Sequence, residues 1–239
     1  MHVQGRRPKK LNTGLTRTQE VRLRRRWRSW LERIVDDLTD LMTKRKLFLE
    51  LMEIVNADPR TREPGAFVGW LLGNYATTIA VGIRRATDVH RKSRSIGRLI
   101  FEALEHPKVI TLAAHRRLYK RTKWSADGTF HGIAGKGRVY LSGRVVRGHM
   151  RELERAERRI RPYVNKRVAH LAAPGALRTV ATFDDLHRAL DVLDRIVLKY
   201  YVLLTAKYMP STMPIVAFEW RGALRNAWWT PRNAAQPER

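Results

Sequence analysis

From Thr18 onward the apolar residues Trp27, Trp30, Leu31, Ile34, Val35, Leu38 and Leu41 recur at steps of three and four, the spacing that gathers them on one face of an α-helix. Arg24, Arg25, Arg26 and Arg28 crowd its start, so the helix carries an apolar face and a basic end. The pattern runs through LFLELMEIV and stops between Asn56 and Pro59, where Asp-Pro breaks it. A second helix is predicted from Gly65 to about Ala86, with Phe67, Trp70, Leu71, Tyr75, Ile79 and Ile83 on its core face. Arg84 and Arg85 close it, where the helix dipole favours cations. A third helix starts near Ser95 and ends at His106-Pro107, and Leu112, His115, Leu118 and Tyr119 keep helical spacing in a short basic piece.

The pattern changes in kind over about 123–148. Gly128, Gly132, Gly135, Gly137, Gly143 and Gly148 punctuate short runs such as GRVYL, which predicts a loop or small hairpin inserted between helices. GIAGKG within it is not a P-loop, because no Ser or Thr follows Lys136. Helical spacing returns from Val146 to Ile160 with Glu and Arg at pairing distance, and Pro162 suits the first turn of a restarted helix. After a break at Ala172 to Arg178, Thr182 and Asp185 form a capping-box signal for a last helix lined by Leu186, Leu190, Leu193, Val197, Tyr200 and Leu204. The expected organisation is a basic arm over 1–17, an all-α domain over 18–208, and an aromatic-rich tail over 209–239 whose Trp220, Trp228 and Trp229 pack on the bundle.

Charge sharpens the picture. With 48 Lys and Arg against 22 Asp and Glu, the 239-residue chain has a formal net charge of +26, which points to a polyanionic partner, nucleic acid first. A generally arginine-rich composition without functional meaning is the alternative. The absence of Cys excludes disulfides, Cys-based metal sites and thiol nucleophiles. GWLLGNYATTIAVGI and IVLKYYVLLTA read as too short or too interrupted to span a bilayer, and the N-terminus lacks an apolar signal core. A cytoplasmic protein without a membrane partner is therefore expected. No H-E-x-x-H or G-x-S-x-G element occurs, and no metal or other cofactor is expected. Asp184, Asp185, Asp191 and Asp194 read as a solvated face or as partners of Arg188 and Arg195 rather than a magnesium site.

Two segments carry a resemblance. GNYATTIAVGIRRATDVHRKSRSIGRLIFEALEHPKVIT, in which an Ile-Arg-Arg helix end is followed by an Asp and a Ser-rich start to a Leu-rich helix, is similar to AbiU-like HEPN proteins of the abortive-infection type. IRPYVNKRVAHL resembles the Tyr-x-Asn/Asp-Lys-x-x-Ala-His element of HEPN domains. With TFDDLHRALDVLDRIVLKYY and the Trp220 to Trp229 tail, the resemblance spans roughly 20–230.

The resemblance implies an all-α, HEPN-like bundle of about four long helices that dimerises. It also implies a metal-independent ribonuclease in a phage-defence or toxin-type system, with two copies of an Arg and His motif at a composite site. In that chemistry His moves a proton as a ribose 2′-hydroxyl attacks its own phosphate, and Arg stabilises charge developing on phosphorus. Carried onto this chain, the catalytic candidates are His170, Asn165, Arg85 and His90, with Arg84, Asp88, Arg161, Lys166 and Arg167 as RNA contacts. Arg85 and His90 match an Arg-x4-His spacing, whereas Asn165 to His170 is where HEPN proteins place the motif, with Val164 where an Arg would precede Asn165. Either Arg85, Arg161 or Arg167 supplies the missing cation, or the domain only binds nucleic acid. A third reading is an interaction protein silenced by an antitoxin-like partner that docks on 123–148.

Overall fold

The computed structural model describes residues 14–57, 65–119, 125–168, 181–215 and 220–222. The predicted break at Ala172 to Arg178, together with His170, Trp228 and Trp229, lies outside them. The described residues form eight α-helices: α1 (Arg17–Ala57), α2 (Ala66–Thr87), α3 (Ile96–Glu105), α4 (Leu112–Arg116), α5 (Ala126–Ala134), α6 (Gly143–Glu157), α7 (Ile160–Tyr163) and α8 (Phe183–Thr205). The four longest, α1, α2, α6 and α8, make the bundle expected of an all-α HEPN-like fold. α1 packs along α8 and α2, and α6 lies against α3 and α8.

Local chemistry explains where the helices start. Ser95, Thr111, Ser125, Ser142 and Thr182 each accept a hydrogen bond from the backbone N–H three residues on, satisfying a donor that the first turn leaves unpaired. Thr182 and Asp185 complete the reciprocal capping box, with the Thr182 N–H donating to Asp185 at 3.1 Å. The core face of α1 is as its spacing predicts: Trp27 and Leu31 are fully buried, and Ile34, Leu38 and Leu41 nearly so.

Three expectations are corrected. The described part of the 123–148 segment is mostly helical and not a single loop or hairpin: residues 126–134 form α5, α6 begins at Gly143, and the irregular chain between them covers 135–142. Glycine weakens a helix by about 1 kcal/mol per residue, but burial of Phe130 and Ala134 outweighs that local preference. Gly135 and Gly137 then turn the chain at positive φ, 97° and 72°. The β pairing found among the described residues is a single antiparallel bridge, Thr111 to Tyr140. On α2 the core face is Val68, Tyr75, Ile79, Ala80 and Ile83, while Phe67 and Trp70 stay 50% and 62% exposed, because the bundle covers the face that carries Val68 and not theirs. α2 is also long and apolar enough to cross a membrane by length and composition, contrary to the reading of its sequence, although its Ile79 and Ile83 face is fully buried here.

The junction between α2 and α3 is tight. A Cβ added at Gly97 would lie 2.2 Å from the Thr87 carbonyl oxygen and 2.6 Å from its carbon, and backbone cannot swing aside as a side chain can. Gly97→Ala is therefore expected to cost about 1–3 kcal/mol, read as a lowered urea midpoint, because α3 must move off the end of α2. A midpoint equal to that of the parent chain would contradict this packing.

Candidate nucleic-acid interface

The C-terminal end of α2 delivers Arg84 and Arg85 to different neighbours. Arg84 reaches Glu157 at the end of α6, with Nε 3.4 Å from Oε1, and Asp88 at 3.8 Å. Arg161, one turn further on, donates through Nη2 to Glu157 Oε2 at 2.7 Å and through Nε to Oε1 at 3.2 Å. The Glu157 side chain is 1% exposed, so two guanidiniums from distant parts of the sequence clasp one buried carboxylate. Hydrogen bonding to Glu157 raises the Arg161 pKa, with burial opposing it. Thr77 and Tyr163 tie α7 to α2 at the same junction, their hydroxyls 3.2 Å apart.

Asp88 organises the basic loop that follows α2. Its carboxylate accepts from the Ser93 hydroxyl and, at 3.2 Å, from the His90 N–H, while its carbonyl accepts from the Ser95 hydroxyl. Burial would raise the Asp88 pKa, but these hydrogen bonds and the neighbouring Arg84 hold it below the usual carboxylate range. The loop so fixed presents His90, Arg91, Lys92 and Arg94 to solvent. The His90 Nδ1 accepts from the Lys92 N–H at 3.4 Å, and Arg85 instead pairs loosely with Asp37 at 3.9 Å.

Chain from α7 passes directly into a single π-turn, Val164–Val168, a wide turn of the kind that often marks functional sites. Asn165 and Lys166 are exposed on it, and Val164 is buried in the hydrophobic core. A guanidinium at 164, where the resemblance leads one to expect an arginine, would enter apolar surroundings. Arg161 is the candidate cation the structure brings to Arg84, whereas Arg85 faces away toward α1. The side chain of Arg167 and the whole of His170 lie outside the described residues.

Sequence reading missed Glu157 as the shared partner. Its spacing of four to Arg161 was visible, but nothing local points from Glu157 to Arg84. Arg33 and Arg94, both exposed on the cleft beside Arg85, were also missed. The acidic residues of α8 act as ion-pair and turn partners. Asp185 holds Arg188 at 2.8 Å and Arg159 at 3.5 Å, Asp191 pairs with Arg45, and Asp194 accepts from the Thr212 N–H at 2.9 Å. Among the described residues no three His, Asp or Glu side chains cluster as a metal ion would need.

No curated protein and no solved structure matches the chain. The family model described as AbiU2 does match, over residues 24–216, so all eight helices fall within or overlap the matched span. The helical bundle and this match together place the chain in the HEPN AbiU2 family, an abortive-infection-related HEPN module.

Proposed function

We propose that this HEPN module binds RNA at the Arg84–Glu157–Arg161 clasp and cleaves it without a metal. The observation that carries this reading is the clasp: two arginines on one buried carboxylate, beside the π-turn that bears Asn165 and Lys166. Arginine suits the task because its fork of donors matches phosphate oxygens, and Glu157 leaves each guanidinium with N–H groups to spare. In the proposed step His170 takes the proton of a ribose 2′-hydroxyl as that oxygen attacks its own phosphorus. The bond to the 5′-oxygen breaks, the imidazolium so formed returns its proton to that oxygen, and the products are a 2′,3′-cyclic phosphate and a 5′-hydroxyl. Arg84 and Arg161 stabilise the charge on phosphorus. His170 and Arg167 enter through the family resemblance. In the same reading two copies pair, and an antitoxin-like protein restrains them in the cytoplasm.

The test is incubation of the protein with tRNA and with unstructured RNA in excess EDTA. Arg84→Ala and Arg161→Ala are each expected to slow cleavage by roughly a hundredfold to a thousandfold, as loss of one transition-state donor does. Cleavage lost in His170→Ala and kept in His90→Ala assigns the site to the π-turn side; the reverse assigns it to the Asp88 loop. RNA that is bound but never cut makes the protein a binding module. The log-log salt slope should reach about 0.7 per single-strand phosphate neutralised, and a flat slope would sink RNA binding altogether.

A further inference from the structure

On the far side of Arg85 from the clasp, α1, the end of α2, the Asp88 loop and α8 enclose a cleft of about 430 Å³. Its size falls in the ordinary range for small-ligand sites, about 300–1,000 Å³. The floor is apolar, made by Leu38, Leu41, Leu193 and Val197, each at least nine-tenths buried. Three guanidiniums stand on the rim from three separate elements: Arg33 from α1, Arg85 from α2 and Arg94 from the loop. Three carboxylates also line it, but they are not equivalent. Asp40 is paired with Lys44, and Asp88 is occupied by Ser93, the His90 N–H and Arg84. That leaves Asp37, at 3.9 Å from Arg85, as the remaining acid facing three guanidiniums. An anion can displace so loose a pair.

We propose that this cleft holds one nucleotide unit. The phosphate sits among Arg85, Arg94 and Arg33, the base lies against Gly82 and Ala86, the partly exposed apolar positions of the lining, and Asp37 accepts from a base amino group or ribose hydroxyl. A flat, largely apolar base with an anion on one end matches a site with an apolar floor and a cationic rim. The unit comes either from RNA already held at the clasp, in which case this inference rests on the proposed function, or from a free mononucleotide. Asp88 connects the two sites, since its carboxylate lines the cleft and lies 3.8 Å from Arg84 of the clasp.

Calorimetric titration of the full chain at low salt with each of the four 5′-ribonucleoside monophosphates, with inorganic phosphate and with the bare nucleosides tests the proposal. One site per chain is expected, with at least one monophosphate binding tenfold or more tighter than phosphate or nucleoside alone. Arg85→Ala and Arg94→Ala should each weaken it about fivefold to tenfold, as loss of a charge-assisted contact does. Arg138→Ala, an exposed arginine outside the cleft, serves as the charge control and should change little. Asp37→Asn should bind phosphate more tightly, because Arg85 is released. Equal affinity for phosphate and every monophosphate, or equal weakening by Arg85→Ala and Arg138→Ala, would overturn the site. Competition tells the sources apart: a saturating monophosphate displaces RNA if the unit belongs to RNA, and leaves RNA affinity unchanged if a free nucleotide is the ligand. Arg161→Ala keeps the two readings distinguishable, since it should impair RNA handling while mononucleotide binding persists.

Discussion

Glu102→Ala is expected to lower the unfolding free energy by about 3–5 kcal/mol, the range for breaking a buried ion pair by removing one partner. Glu102 sits on α3 with its side chain 7% exposed and accepts from three donors. Trp27 Nε1 lies at 2.8 Å, Arg26 at 2.5 Å and Arg98 at 3.0 Å. Burial alone would raise its pKa, but the hydrogen bonds from Trp27 and Arg26 and the charges of Arg26 and Arg98 hold it below the usual range. Alanine strands the indole N–H of a fully buried Trp27 and leaves Arg98, itself largely buried, without its acid. Glu102→Gln keeps the shape and an acceptor and should lose about 1–2 kcal/mol. Urea unfolding of both variants checks the order; equal losses would mean that the carboxylate charge and not the orphaned donors sets the cost.

Acidification gives the second large effect. His149 is buried between α6 and α8 with Nδ1 3.2 Å from the hydroxyl of the fully buried Tyr200. Burial, then the Lys199 and Arg195 charges, push its pKa down to about 4, with Glu152 opposing. The folded chain therefore refuses a proton that the unfolded chain accepts below its ordinary pKa near 6.5. Stability is fully present above that value and falls as pH drops from about 6.5 to about 4, by about 3 kcal/mol from this residue. His115 and His187, both lowered chiefly by burial, add in the same direction. Carboxylates such as Glu102 and Asp185, whose folded pKa values are depressed, lose their contribution only at lower pH. Urea midpoints between pH 7 and 4.5 should thus fall steeply in the parent chain and less in His149→Gln, where the amide can still accept from Tyr200. Parallel curves would remove His149 from this account.

The net charge illustrates how far composition reaches. It points to a polyanion, yet several arginines are spent inside the fold: Arg24 donates to the Val109 carbonyl at 2.8 Å, Arg28 to the Leu204 carbonyl at 2.6 Å, and Arg26 to Glu102 while lying over Trp30. Arg28 thereby satisfies a carbonyl that the end of α8 leaves unpaired, a favourable place for a cation. The cluster that reads as a basic end in the sequence is partly mortar between α1, α3 and α8. Arg91, Lys92 and Arg94 remain exposed because the Asp88 loop turns them outward.

What the sequence by itself determined is what depends on near neighbours. The apolar spacing of α1 and α8, the Thr182 capping box and the Ser95 start are all interactions between residues three or four apart, and they stand in the structure where the pattern puts them. The two HEPN-like segments were likewise legible as contiguous strings. Tertiary structure alone decided what depends on residues far apart. α5 exists because Phe130 finds a buried place against the bundle, which no local count of glycines can foresee. The α2 face rotated away from Phe67 and Trp70 because its neighbours, not its own periodicity, chose which residues to cover. Arg84 and Arg85 are adjacent in sequence and successive on a helix, so they point about 100° apart. One joins Glu157 and Arg161 in the clasp; the other closes the cleft with Arg33 and Arg94. Helical geometry separates the pair, and the packing of α6 and α1 on either side of α2 gives each arginine its role.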